Sequence, residues 1–100
     1  MDIAFSEHAL NKISLYELDK SEIVQIVATT APLYFDVQED TLIVIGEITL
    51  KIGARPAIIA ISRNQAVQKV ITVFPCTKIE EEIDKKLKKK RWIKLVSKAT

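Results

Sequence analysis

The sequence predicts an α+β fold: two short N-terminal helices, an antiparallel β-meander of three to four strands and a basic C-terminal helix. Three observations carry this. Apolar residues recur at helical spacing before Pro32, at a spacing of two from Leu33 through Ile52 and then in β-branched apolar runs to Phe74, and at every fourth position from Ile79. The connections between successive strand runs are short, as in hairpins rather than crossovers. Capping residues stand ahead of each helical run.

Ser6 is the expected N-cap of the first helix, with Ala9, Leu10 and Ile13 on its inner face. Asp19 and Glu22 fit a capping box for the second, whose stripe is Ile23, Val24, Ile26 and Val27 and which ends near Ala31-Pro32. Leu33 to Val37 is expected as a short edge strand. From Thr41 to Ile52, Leu42, Val44, Ile48, Leu50 and Ile52 share a face with Gly46, opposite Glu47, Thr49 and Lys51, which describes a half-buried strand. Gly53-Ala54-Arg55-Pro56 then reads as a turn. Ala57 to Ile61 is apolar at every position, so this strand should be covered on both faces and central. Arg63-Asn64-Gln65 turns the chain into Val67 to Phe74, and Pro75 stops that strand. Thr77 and Glu80 suggest a capping box for a third helix with the stripe Ile79, Ile83 and Leu87. Beyond Leu87 the stripe falls on Lys90 and Lys94. Trp92 to Val96 could therefore continue the helix, form an edge strand or dock on another subunit.

One hundred residues suit a single domain, with a core over residues 1–77 and residues 78–100 as a helix and tail of the same unit. The 48% hydrophobic and 28% charged content, with 2 Gly and 3 Pro, excludes collagen-like or disordered chains. The apolar run from Leu42 meets Glu47 and then Lys51, too soon for a membrane span. The opening Met1-Asp2, followed by Glu7 and His8, lacks the basic and then apolar order of a secretory signal. Cys76 alone allows no internal disulfide and no zinc cluster, and a cytoplasmic location is expected.

Charge is segregated. Residues 1–77 carry six basic groups against nine acidic, a net of −3, and residues 78–100 carry nine against four, a net of +5. Seven of the ten residues from Lys85 to Lys94 are basic, a density that attracts phosphate backbones, anionic lipids or an acidic protein. Lys85, Lys86, Lys88, Lys89, Lys90, Arg91 and Lys94 are the candidate backbone contacts, with Trp92 as a candidate base-stacking residue. A solvated helix face and a Trp used as a packing anchor are the structural alternatives.

Phe5-Ser6-Glu7-His8-Ala9-Leu10 and Val70-Ile71-Thr72-Val73-Phe74-Pro75, together with Gly46, resemble a family of small prokaryotic domains related to the RelE/ParE-like toxins. The resemblance spans about residues 4–76. It implies helices packed on one face of a curved antiparallel sheet, descent from endoribonucleases acting with or without the ribosome, and a cognate antitoxin-like partner. Lys12 stands where many members have Arg, Leu15-Tyr16-Glu17-Leu18 replaces an Arg-Gly-Ile sequence, and the basic tail lies outside the shared pattern.

RNA cleavage by the 2′-hydroxyl needs a base, cationic stabilisation of the phosphorane and an acid. His8, Lys12, Arg63 and Lys69 are the candidate catalytic residues, with Arg55 as a further cation and Tyr16 or Tyr34 as phenolic groups. Arg63 and Lys69 flank one turn and could clamp a phosphate. Each also has a plainer reading, as a turn-solubilising charge or, for His8, a structural histidine. Asp36, Glu39 and Asp40 read better as a turn than as metal ligands, and no cofactor is implied. Cys76, ahead of a helix, could have a lowered thiol pKa or serve as a small buried hydrophobe. The two glycines form no phosphate loop. Three classes remain open: a RelE-like toxin or RNase relative, a non-catalytic nucleic-acid-binding module, and a protein-interaction module, including a homodimer.

Overall fold

A computed structural model describes residues 3–63 and 67–95. Along the chain run β1 (Ile3–Phe5), α1 (Glu7–Tyr16), α2 (Lys20–Thr29), β2 (Tyr34–Asp36), β3 (Thr41–Leu50), β4 (Gly53–Ser62), β5 (Gln68–Pro75), α3 (Ile79–Lys88) and β6 (Trp92–Lys94). The strands form one sheet in the order β1-β5-β4-β3-β2-β6. Strands β2 to β5 are the antiparallel meander, β1 lies parallel to β5, and β6 lies antiparallel to β2. The α+β class is as the sequence predicts, but the sheet is mixed and has six strands among the described residues rather than three to four. Both additional strands are three residues long, too short to display a period of two. Strand β2, expected at an edge, is covered by β6.

Local chemistry explains most boundaries. Ser6 Oγ accepts from Ala9 N at 3.0 Å and donates to Ile71 O at 2.7 Å, so one hydroxyl caps α1 and ties it to β5. Helix α1 ends on Glu17 in the left-handed region, φ 54°, with Leu18 N donating to Ile13 O and Glu17 N to Ser14 O. This is a Schellman closure, and it buries Leu18. Asp19 Oδ1 caps α2 through Ser21 N. Glu22 does not complete the expected capping box. Its carboxylate accepts from Thr49 N and Thr49 Oγ1, both at 2.8 Å, and binds α2 to β3. The Thr77 box also fails, because α3 starts at Ile79 behind Lys78 with no side-chain cap.

The expected turn at Gly53 to Pro56 is strand. Leu50 pairs with Gly53, which leaves Lys51 and Ile52 as a two-residue hairpin loop, and Ile52 is 73% exposed rather than on the buried face. Gly53 takes φ 118°, which its missing Cβ permits. Pro56 is tolerated in an inner strand because its nitrogen shares an edge with its carbonyl, which accepts from Cys76 N beyond the end of β5.

Helices α1 and α2 cover one face of the sheet, where Ala9, Leu18, Ile23 and Val27 meet Val44, Ile48, Ile59, Ile61, Val70 and Val73. Helix α3 covers the other, with Ile79, Ile83 and Leu87 against Ile43, Ile58, Ala60 and Trp92. The helices thus lie on both faces, not one. Residues Ala57 to Ile61 are buried and β4 is central, as the continuous apolar run implies. Gly46 admits close approach of α2, since a Cβ there would lie 2.6 Å from Ile26 Cγ2.

Candidate nucleic-acid interface and adjoining cleft

Helix α3 carries Glu80, Glu81 and Glu82 in its first turn and Lys85, Lys86 and Lys88 in its last, an arrangement that complements the helix dipole. Its apolar stripe is fixed to the sheet, and Glu80, Glu81, Asp84, Lys85 and Lys88 are presented outward. Lys90 adopts φ 57°, with Lys90 N donating to Leu87 O and Arg91 N to Lys86 O. This second Schellman closure reverses the chain into β6.

Five of the eight candidate nucleic-acid contacts, Lys85, Lys88, Lys89, Lys90 and Lys94, are exposed. Lys88 pairs with Asp84 at 3.1 Å, while Lys85, Lys89, Lys90 and Lys94 have no ion pair among the described residues. The other three turn inward. Lys86 Nζ lies 3.5 Å from Glu82, and Arg91 Nε lies 3.5 Å from Asp36 Oδ2. Trp92 is 4% exposed, stacked on Tyr34 with ring centroids 5.3 Å apart, and donates Nε1–H to Asp36 Oδ2 at 3.3 Å. Its ring is therefore a packing anchor, not a surface offered to a base.

The four candidate catalytic residues do not converge. His8 and Lys12 are one turn apart on α1. His8 is exposed, and Lys12 Nζ is 5.9 Å from the Tyr16 ring. Arg63 packs over Phe35 at 5.2 Å and pairs with Asp40 at 3.4 Å. Lys69 N donates to Ser62 Oγ. Val70 points into the core beneath α1 and α2, so alternation sends Lys69 to the α3 face, whereas Phe35 and Arg63 lie on the α1/α2 face. Tyr34 belongs to the α3 face and Tyr16 to the other.

Between α3 and the sheet opens a cleft of about 140 Å³. Ile43, Ile58, Ala60 and Phe74 supply apolar lining, and Asp36, Glu39, Thr41, Thr72, Lys86 and Arg91 supply polar groups. Asp36, 5% exposed, is held by its own turn: Oδ1 accepts from Gln38 N at 3.0 Å and from Glu39 N at 3.1 Å. This is the turn role read for Asp36, Glu39 and Asp40. Thr41 Oγ1, Thr72 Oγ1 and Arg91 Nε are enclosed without a hydrogen-bond partner among the described residues, since Arg91 Nε meets Asp36 at ion-pair distance but outside hydrogen-bond geometry. Sequence reasoning missed this cleft. Ala60 pairs with Thr72 but Ile61 with Val70, so Ile71 is bulged, and that irregularity changes which side chains face the cleft.

Cys76 packs against the α3 cluster as a small hydrophobe. Burial first, and then the Glu82 carboxylate, push its thiol pKa above the ordinary 9.0, against a lowering by the Lys78 backbone N–H. The activated thiol is thereby corrected. Among the described residues no helix is long and apolar enough to cross a membrane.

Comparison with protein-family models, curated proteins and solved structures finds no match for this chain.

Proposed function

We propose that this chain is an RNA-interacting domain that grips the phosphate backbone with Lys85, Lys88, Lys89, Lys90 and Lys94. The carrying observation is that these five cations are exposed on an anchored helix end and the adjoining edge strand, four of them without an ion pair among the described residues. An anchored helix holds its lysines in fixed relation, which lowers the ordering cost of binding a polyanion. The choice of RNA rests on the resemblance of residues 4–76 to RelE/ParE-like domains, and descent from that superfamily is part of the proposal. The spread of His8, Lys12, Arg63 and Lys69 over both faces favours binding over cleavage.

Single-stranded RNA titrations at several salt concentrations test this. Each phosphate neutralised contributes about −0.7 to the slope of log K against log salt, so five contacts give about −3.5. Glutamine at Lys85, Lys89 and Lys90 should remove about 2 from that slope. Absence of binding at low salt would reject the reading. Cleavage of the RNA that disappears in an Arg63→Ala, Lys69→Ala double variant would replace it with the nuclease.

A further inference from the structure

Strand β6 stands at one end of the sheet order, and nothing among the described residues pairs with its outer edge. Val37 N donates to Arg91 O, Leu95 N donates to Leu33 O, and Phe35 faces Ile93, so the odd-numbered residues of this strand turn their backbone toward β2. Alternation then directs the N–H and C=O groups of Trp92 and Lys94 outward, as an open hydrogen-bonding edge.

Side chains beside that edge are sorted by face. Phe35 and Ile93 lie opposite Tyr34 and Trp92, on the face that α1 and α2 occupy. Those helices lie chiefly over β5 and β3 rather than over β2 and β6. Leu33 and Val37 continue the row on either side of Phe35, and Leu33, Val37 and Ile93 are 47%, 48% and 52% exposed. Single apolar residues are ordinary on a surface, whereas a row of them beside an unpaired strand edge is the arrangement that receives another strand. Short strands bearing lysine also resist edge-to-edge aggregation, which accounts for Lys94 but not for the apolar row on the other face.

Charge selects the occupant. Lys94 shares the α3 face with Tyr34, and the exposed Lys89 and Lys90 stand at the corner between α3 and β6. None of these three lysines has an ion pair among the described residues. A second copy paired edge to edge about a two-fold axis at Ile93 would bring both sets of lysines together, which like-charge repulsion opposes. A strand of opposite sign is favoured instead. We propose that the β6 edge takes up an extended acidic segment of a partner protein as a further strand of the sheet. Its apolar residues alternate with carboxylates, so that one face covers Leu33, Val37 and Ile93 and the other meets Lys90 and Lys94.

The inference stands on the strand edge and its apolar row, independently of RNA. The full chain is titrated with a short labelled peptide of alternating glutamate and valine, following anisotropy and the amide hydrogen exchange of Trp92 and Lys94. Saturable binding that slows exchange at both amides is expected, weakening as salt rises. A lysine–valine peptide, and a peptide of the same glutamate and valine content arranged in two blocks, should bind at least tenfold more weakly. Alternate N–H groups face opposite edges of a strand, so methylating the nitrogens of either the glutamates or the valines should abolish binding while methylating the other set preserves it. Ile93→Thr keeps a β-branched side chain at an exposed position and should weaken the peptide about tenfold or more at an unchanged melting temperature. No saturable binding, unchanged exchange at Trp92 and Lys94, equal affinity for the block peptide, equal affinity of the two methylated peptides, or full affinity in Ile93→Thr would overturn the proposal. A dimer of the free chain that Ile93→Thr dissolves would overturn it in favour of a second copy, and loss of RNA binding in that variant would overturn it in favour of RNA at the edge. Peptide binding by a parent chain that binds no RNA would uphold the proposal and reject only the RNA reading.

Discussion

Asp36 and Trp92 are partners twice over: they face each other in the β2–β6 register, and Trp92 Nε1 donates to Asp36 Oδ2 at 3.3 Å. The same carboxylate accepts two N–H groups of the following turn and faces Arg91. One buried anion thus fixes the turn between β2 and β3, the C-terminal strand and the wall of the cleft. Asp36→Ala leaves the Trp92 donor and the Arg91 cation unpaired and should cost about 3 kcal/mol of stability. Asp36→Asn can still accept the turn N–H groups and should cost about 1 kcal/mol. Thermal unfolding reads both, at about 4–8 °C per kcal/mol for a domain of this size. Equal melting of the two variants would dismiss the role of the turn.

Gly46 is where α2 comes closest to the sheet. Replacing it with Ala sets a methyl 2.6 Å from Ile26 Cγ2, so either that side chain or the helix must move. Gly46→Ala should destabilise by about 1–3 kcal/mol. Ile26→Ala removes the obstruction, so the double variant should be more stable than the sum of the single losses predicts, by about 1 kcal/mol. Strict additivity in a double-mutant cycle would place the strain elsewhere.

Long periodic elements were legible in the sequence because their own side chains determine them. Ala57 to Ile61 announced a central strand, and the spacing of Ile79, Ile83 and Leu87 announced a helix with one buried stripe. Elements imposed by distant partners were not legible. Residues Ile3–Phe5 are a strand because Gln68, Lys69 and Val70 pair with them. Glu22 sits at a capping position but finds better donors in Thr49, far along the chain. The exposed lysines followed from composition. The inward turn of Lys86, Arg91 and Trp92, and the cleft that the bulge at Ile71 helps shape, depend on tertiary contacts that no local pattern carries.

Cys76 gives a pH-dependent test. Its raised thiol pKa means that folding favours the protonated form, so its contribution to stability is complete below the ordinary value of 9.0 and is lost as pH rises through the higher folded value. Melting temperature should fall more steeply above pH 9.0 in the parent than in Cys76→Ala. Iodoacetamide at pH 8 should alkylate the folded chain more slowly than the urea-unfolded chain. Glu82→Gln removes the nearby negative charge and should speed the reaction. Equal rates in folded and unfolded protein would show the thiol to be unshielded.

Lys90 separates stability from binding. It occupies the left-handed position that closes α3, at φ 57°, where a side chain costs about 1 kcal/mol relative to glycine. Its ammonium is exposed and has no ion pair among the described residues, so nothing in the described fold depends on its charge. Lys90→Gly should therefore raise stability by up to about 1 kcal/mol, less the backbone entropy that glycine adds to the unfolded chain. If Lys90 contacts an RNA phosphate, the same change should reduce the salt slope of binding by about 0.7. Denaturant unfolding and RNA titration of one variant then move in opposite directions. A more stable variant with an unchanged salt slope would remove Lys90 from the interface and leave it as a helix terminator.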